Sequence, residues 1–459
     1  MLKILEIIVN GVNKILWDYV LLVGLLGVGL FFTIYLGFPQ IRRFPEACKH
    51  VFADIFHKDK KSKKSDDISS FQALAVAIAA QVGTGNVAGV ATAIIAGGPG
   101  AIFWMWISAF FGMATIFAEA VLAQIYREKS EDGYVGGPAY YLKNGVGSKL
   151  LAGLFSVFII IALGFIGNMT QSNSISSSVG AAFGVPQIAI GIIVAILSSL
   201  VFIGGIKRIA NFAQLVVPIM AILYIALSIV IMIKFRTNIK PVFSMIISSA
   251  FGKEAMVGGA MGISMRQAMR YGIARGLFSN EAGMGSTPHA HATAIVKHPA
   301  EQGLTAMFGV FIDTGLVCSA TALTILVTGS NKLGLDGALV TQEAFNIAFG
   351  PIGQKLIAIC LTFFAFTTIV GWYYFGETNI LSLFGKKGLL TYRVLVLLFI
   401  IIGSVQKIEF VWSLSDMFNG FMVIPNLIGL IYLCKEVKKV EDDYKFCKLN
   451  GDIHYNYKN

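Results

Sequence analysis

Charge is scarce in this chain. Of its 459 residues only 13% are Asp, Glu, Lys or Arg, while 56% are hydrophobic. A soluble domain carries about 25% charged residues, so a surface exposed to water on all sides is excluded. Cysteine is scarce too. Cys48, Cys318, Cys360, Cys434 and Cys447 are odd in number and far apart, which speaks against a disulfide framework and offers no metal-type spacing. His289 and His291 stand two apart and lack the carboxylate company of a helical metal site, so they are read as non-ligands. There is no phosphate-cradling loop with a soluble motor domain, which speaks against a nucleotide-driven pump. No nucleophile and base suggest an intramembrane enzyme, and no carbonyl-filter run suggests a channel. No cleavage site of a signal peptide follows the first apolar run, Trp17 to Gly37, which is long enough to span.

What is present is apolar sequence in long blocks, each near the roughly 20 residues that cross a bilayer. Read against charge and turn punctuation, they predict an all-α polytopic membrane protein. About eleven transmembrane helices are expected, at 17–37, 71–97, 100–126, 150–183, 187–204, 209–233, 267–296, 303–328, 353–375, 389–405 and 410–433. The fourth is too long for one straight crossing and implies tilt or an extension. The net charge of +11 then reflects basic loops facing the cytoplasm rather than nucleic acid. Loop 38–70 holds Arg42, Arg43, Lys49, Lys58, Lys60, Lys61, Lys63 and Lys64, and the tail adds Lys435, Lys438, Lys439, Lys445, Lys448 and Lys458. These place the chain in the cell membrane, surrounded by lipid, with its amino terminus outside and its carboxyl terminus cytoplasmic. Arg266, Arg270 and Arg275 are discordant; they sit at the outer mouth or pair with acids.

Two of the blocks are interrupted. Gly83-Thr84-Gly85-Asn86 breaks the run from Phe71 to Gly98, and Asn280-Glu281-Ala282-Gly283-Met284-Gly285 breaks the segment from Gln267 to Val296. Broken helix at membrane depth persists only where it lines a cavity or is buried in protein. Matched breaks in two halves of a chain point to a solute-binding site. Ala91-Thr92-Ala93-Ile94-Ile95 follows the first break and Ala292-Thr293-Ala294-Ile295-Val296 the second; each precedes a Pro-containing connection, Gly98-Pro99 or His298-Pro299. The first broken span starts inside and the second outside, so the repeats are inverted.

From Gly97 to Gly112 the chain reads Gly-Gly-Pro-Gly-Ala-Ile-Phe-Trp-Met-Trp-Ile-Ser-Ala-Phe-Phe-Gly. This run, with Gly83–Gly89 and Asn280–Ser286, resembles the alanine or glycine:cation symporter family, the sodium:alanine symporters. The resemblance runs from about Trp17 to Leu433. It implies a leucine-transporter-type fold, a five-plus-five inverted repeat with one preceding helix and two broken helices. The expected divisions are the extra helix in 1–37, a basic cytoplasmic loop in 38–70, repeats in 71–234 and 235–433, and a cytoplasmic tail in 434–459. It also implies import of a small neutral amino acid, alanine or glycine, by symport with sodium as the coupling ion. No cofactor beyond that ion is expected.

A zwitterion needs donors for its carboxylate and acceptors for its ammonium, and a broken helix exposes both from the backbone. Thr84, Gly85 and Asn86 are the expected donors; Phe278, Ser279 and Gly283 lie where carbonyls would meet the ammonium. The alternative is that these glycines only permit close helix packing. Sodium requires several oxygens, expected from Thr367 and Thr368 with carbonyls around Ala80 and Gly83. Threonine hydroxyls in a helix also bond back to their own backbone. Trp372, four residues beyond Thr368, shares its face and with Phe278 would bound a pocket for small side chains, unless both merely pack. Gln171 and Asn173 are amides that either bond substrate or glue helices. Of the acids Glu119, Asp313, Glu377 and Asp416, not all can be central. Glu281, in the break itself, has a proton or ion role, a bridge to Arg275, or caps freed amides. Proton-coupled symport would make Glu281 essential, and a channel is the remaining alternative.

Overall fold

Hydrocarbon offers backbone groups no partner, so long apolar segments satisfy their own N–H and C=O groups as helices. The computed structural model describes residues 2–56, 68–131, 133–251, 265–406, 408–451 and 453–456. Its helices in chain order are α1 (Leu2–Ile15), α2 (Leu21–Tyr35), α3 (Pro39–Arg42), α4 (Phe44–Phe56), α5 (Ser70–Gln81), α6 (Val90–Gly97), α7 (Ala101–Ile125) and α8 (Pro138–Asn144). There follow α9 (Lys149–Ile159), α10 (Asn168–Phe183), α11 (Gln187–Phe202), α12 (Gly205–Lys234), α13 (Ile239–Ala250), α14 (Met265–Asn280) and α15 (Pro288–His291). The last seven are α16 (Pro299–Val310), α17 (Ser319–Thr328), α18 (Ala338–Phe349), α19 (Pro351–Phe384), α20 (Leu389–Gly403), α21 (Ile408–Tyr432) and α22 (Cys434–Asn450). Wider π turns join α1 to α2, α9 to α10 and α16 to α17. One departure from an all-helical chain is a short antiparallel hairpin, β1 (Glu128–Ser130) with β2 (Gly133–Val135).

Seven helical runs among the described residues are long and apolar enough to cross a membrane, and the pair Ser70–Gln81 with Gly85–Gly97, bent by 51°, makes an eighth. Both expected breaks are present, for local reasons. Helix α5 starts on a capping box between Ser69 and Gln72 and stops when Val82 leaves helical geometry (φ −83°, ψ 88°). Helix α14 stops where three of five residues are left-handed: Glu281 at φ 57°, Gly283 and Gly285 both at 82°. Glycine takes that conformation without penalty; glutamate does not.

The two broken segments run in opposite directions. At one end Ile295 donates its N–H to Ile68 (3.0 Å) and Ser70 bonds Gln302 (2.8 Å), so α5 begins where the second broken segment finishes. At the other, Gly97 closing α6 packs against Tyr271 and Gln267 near the start of α14. Helices α14 and α16 lie along α7, while α19 lies along α10 and α5; the breaks meet between these layers.

Segments read as loop and tail are helical. Helix α4 turns Phe44, Ala47 and Val51 to one side, where Phe44 meets Phe308 and Phe311. Helix α22 buries Val437, Val440, Glu441 and Tyr444 on one stripe, the spacing of an amphipathic helix. It docks on the 38–56 region: Glu441 accepts from Arg42 (3.2 Å) and Arg43 (3.1 Å), and Glu46 accepts from Tyr444 and Lys448 (both 2.9 Å). Burial pushes the Glu46 carboxyl up, and bonds from Lys448, Tyr444 and Arg43 outweigh it, leaving it below its ordinary value. Periodicity in short, charged segments was the missed signal. Lys58, Lys60, Lys61, Lys63, Lys64 and Lys458 lie outside the described residues.

Candidate functional site

The two breaks face each other. Gln81, closing α5, donates from Nε2 to the carbonyl of Asn280, closing α14, at 2.6 Å. A Cβ on Gly85 would lie 3.3 Å from Ser279 Cα and 3.4 Å from a ring carbon of Phe278. A side chain there would require Ser279 or Phe278 to give way by a few tenths of an ångström. A Cβ on Gly83 would overlap Thr368 Oγ1 and stand 3.2 Å from Gln171 Oε1. Gln171 itself accepts the Thr84 N–H at 3.2 Å. The hydroxyl of Thr84 is fully buried and has no hydrogen-bond partner among the described residues, an orphan that a bound anionic group would satisfy. Phe278 and Trp372 meet edge to face with centroids 6.3 Å apart. Thr84, Gly85, Gln171, Phe278, Ser279, Thr368 and Trp372 are thus brought together at one buried place.

The remaining expected residues are placed differently. The backbone N–H of Asn86, the expected donor, meets Gly83 O at 3.3 Å, while its side chain is engaged within the protein: Oδ1 accepts from Gly83 N–H (2.8 Å) and Nδ2 donates to Asp313 (2.5 Å). Gly283 is not beside Gly85. Its N–H donates to Glu119 (2.9 Å), its carbonyl accepts from Asn426 (2.9 Å), and a Cβ there would meet Leu25. Asn173 glues helices, donating to the carbonyls of Gly403 (2.8 Å) and Gln406 (2.7 Å).

The oxygens expected to hold a cation gather around Thr368. Thr368 Oγ1 lies 3.0 Å from Ala79 O, 3.4 Å from Val82 O and 3.1 Å from Phe364 O. At the first break the carbonyls nearest this hydroxyl are those of Ala79 and Val82, each one residue before the expected Ala80 and Gly83. Thr367 points elsewhere, bonding Phe364 O (2.9 Å) and Met220 Sδ (3.5 Å). Around Thr368 one hydroxyl proton faces three carbonyl oxygens. That surplus of oxygen lone pairs suits a small hard cation.

The acids divide cleanly. Asp416 holds Arg275 through two bonds (3.0 and 2.9 Å), with the guanidinium over Phe278 and Trp412; Arg270 pairs with Asp18. Glu377 pairs with Arg393 (2.8 Å) and Tyr373. Glu119 accepts the freed amides of Gly283 and Gly285 (both 2.9 Å) and Asn426 Nδ2 (2.7 Å). Asp313 stands at the site, accepting from Asn86 and from Ser279 (3.0 Å). Among the described residues Glu281 has no bridge to Arg275 and caps no amide: Oε1 accepts from the Trp372 indole N–H and Oε2 from the Ser286 hydroxyl, both at 2.5 Å. His289 and His291 are buried with protein partners, Asn379 (2.8 Å) and Gln302 (2.7 Å). Sequence reasoning named Asp313 and Glu119 only as acids in spans; nothing local distinguished them from Glu377.

The sodium:alanine symporter family model matches residues 2–457. The sodium/alanine symporter AgcS of Methanococcus maripaludis is 44% identical over 435 residues, covering 93% of this chain and 94% of the relative. The probable sodium/glutamine symporter GlnT of Bacillus subtilis is 41% identical, covering 100% and 94%. The structure of MhsT in complex with L-phenylalanine superposes with a TM-score of 0.58 at 15% identity, over 83% of this chain and 93% of that one; the likeness is one of fold, of the leucine-transporter kind. The chain belongs to the sodium:alanine symporter family, a family of transporters and not of enzymes.

Proposed function

We propose that this protein imports a small neutral amino acid, alanine or glycine, with sodium by alternating access. The observation that carries this reading is the meeting of the two breaks, Gly85 against Phe278 and Ser279. Backbone of opposite polarity comes together there beside the oxygen-rich corner at Thr368. The substrate carboxylate sits at Thr84 and Gly85, where the buried hydroxyl lacks a partner. The ammonium faces the α14 end at Phe278 and Ser279, near Asp313. Sodium sits among Thr368 Oγ1, Ala79 O and Val82 O. Phe278 and Trp372 close the side-chain end.

Opposed directions of the broken segments support a five-plus-five inverted repeat. Eleven crossings result when α19 and α20, the shorter α11 and the broken α14 segment are each counted. Docking of α22 on the 38–56 region supports one shared side for the basic loop and tail, which basic residues assign to the cytoplasm.

Uptake of labelled alanine and glycine into proteoliposomes tests this, with sodium and pH gradients imposed separately and glutamine as competitor. Uptake driven by sodium alone and blocked by glycine is expected; its absence under a sodium gradient refutes the reading. Proton coupling is a second reading, favoured by one observation: Glu281 is buried with only neutral donors, Trp372 and Ser286. Uptake driven by a pH gradient in sodium-free buffer would establish it.

A further inference from the structure

Glu281 is the one non-glycine residue in either break with a left-handed backbone, at φ 57°. Such conformations persist in glutamate only where surrounding contacts over-determine them. Here the turn swings the side chain inward, leaving the residue 1% exposed. Each carboxylate oxygen takes one neutral donor, Trp372 Nε1–H at Oε1 and Ser286 Oγ–H at Oε2. The nearest basic candidate in sequence, Arg275, is engaged by Asp416.

From the side of Trp372, the ring is fixed at three places. Its N–H end is held by Glu281. One benzo edge lies over Gly167, where a Cβ would come within 2.7 Å of ring carbons Cε3 and Cζ3. Phe278 meets it edge to face. An indole has two soft torsions, and these contacts on different sides leave it one orientation.

We propose that Glu281 is a positioning residue for substrate selection: it holds the Trp372 indole in place as the end wall of the side-chain pocket and so sets which amino acids enter. This rests on the site described under the proposed function. Among the described residues, no proton relay leads from Glu281 through Ser286. Ser286 reaches Glu281 through its hydroxyl but meets His289 Nδ1 through its carbonyl (2.7 Å), which carries no proton. Beyond His289 stands the amide of Asn379, which does not pass protons on.

The test measures sodium-driven uptake of labelled alanine in proteoliposomes, competed by glycine, serine, valine, leucine and glutamine. The proteins compared are wild type, E281A, E281Q, W372F and E281A/W372F. With the indole released, E281A should gain on the order of ten-fold in relative affinity for valine and leucine over alanine, the scale on which apolar pockets discriminate. The half-saturation concentration for alanine should rise while the maximal rate is held. E281Q keeps an acceptor oxygen for the indole N–H and should restore the wild-type rank order. W372F, which keeps a ring and loses the donor, should relax selectivity as E281A does, and the double variant should add nothing further. A wild-type rank order in E281A overturns the proposal, as does an E281Q as impaired as E281A, which would assign the carboxyl a charge or proton role. Should E281A fail to fold, W372F decides: an unchanged rank order there refutes the pinned wall. Wild-type protein that takes up no alanine under a sodium gradient refutes the transport reading itself, whatever the variants do.

Discussion

Replacing Thr368 by valine keeps the shape of a buried side chain and removes one oxygen. Thr368 Oγ1 lies within 3.4 Å of three carbonyl oxygens, from Ala79, Val82 and Phe364. Its single proton satisfies one of them, so the carbonyls of Ala79 and Val82, at and just past the end of α5, are short of donors unless a cation joins. A contact to a charged group contributes about 1.5–3 kcal/mol, against about 0.5–1.5 kcal/mol for a neutral hydrogen bond. At about 1.4 kcal/mol per factor of ten, the sodium concentration for half-maximal uptake should rise ten-fold or more in T368V. The thermal midpoint should move little, since only neutral bonds are lost without the ion. T368S, which keeps the hydroxyl, should stay near wild type. T367V is the informative companion: its hydroxyl bonds Phe364 O and Met220 Sδ, so its sodium dependence should not change. Sodium titrations of alanine uptake in proteoliposomes read all three. An unmoved half-saturation in T368V, or an equal shift in T367V, refutes the placement of the ion.

G85L should abolish alanine binding, measured by isothermal titration or scintillation proximity, while size-exclusion behaviour stays normal; its side chain would fill the space before Phe278 and Ser279, and wild-type affinity would move the site elsewhere. F278A should shift competition toward larger neutral amino acids in proportion to side-chain size, and an unchanged rank order would return Phe278 to a packing role. E119A should lower thermal stability strongly. Two buried amides, on Gly283 and Gly285, lose their acceptor at about 1–3 kcal/mol each, so an unchanged melting temperature would mean those amides find other partners.

Much of this was legible because hydrocarbon narrows the choices. Apolar blocks had to become helices, and the glycine-rich interruptions at Gly83 and Asn280 had to be buried breaks. What stayed hidden depended on side-chain direction. Thr367 and Thr368 are adjacent, and only the rotation of α19 decides which of them meets α5. That Ala79 and Val82, not Ala80 and Gly83, bring their carbonyls to Thr368 Oγ1 depends on how α5 is turned toward α19, which sequence does not show. Gly283 and Glu281 belong to an irregular turn, where no periodicity indicates which way a group points. Asp313 and Glu119 read alike as acids in apolar helices until their partners are seen. Helices α4 and α22 were overlooked for a different reason: charge density masked an apolar stripe that faces protein rather than lipid.

Docking of α22 bears on how this protein is handled at the bench. A transporter's hydrophilic end is the usual place to trim or to fuse a reporter. Arg43, only 7% exposed, is covered by α22, pairing with Glu441 and lying over the Tyr444 ring, so cutting the chain after the last crossing removes that cover together with the buried stripe of Val437, Val440 and Tyr444. Burying an apolar side chain such as Val437 or Val440 contributes about 1.5–3 kcal/mol. A shortened version would therefore be expected to leave the detergent-stable fraction, while an affinity label joined after Asn459, beyond the packed Tyr455, should leave yield intact. For this chain the terminal helix is part of the folded body and should travel with it into every vector.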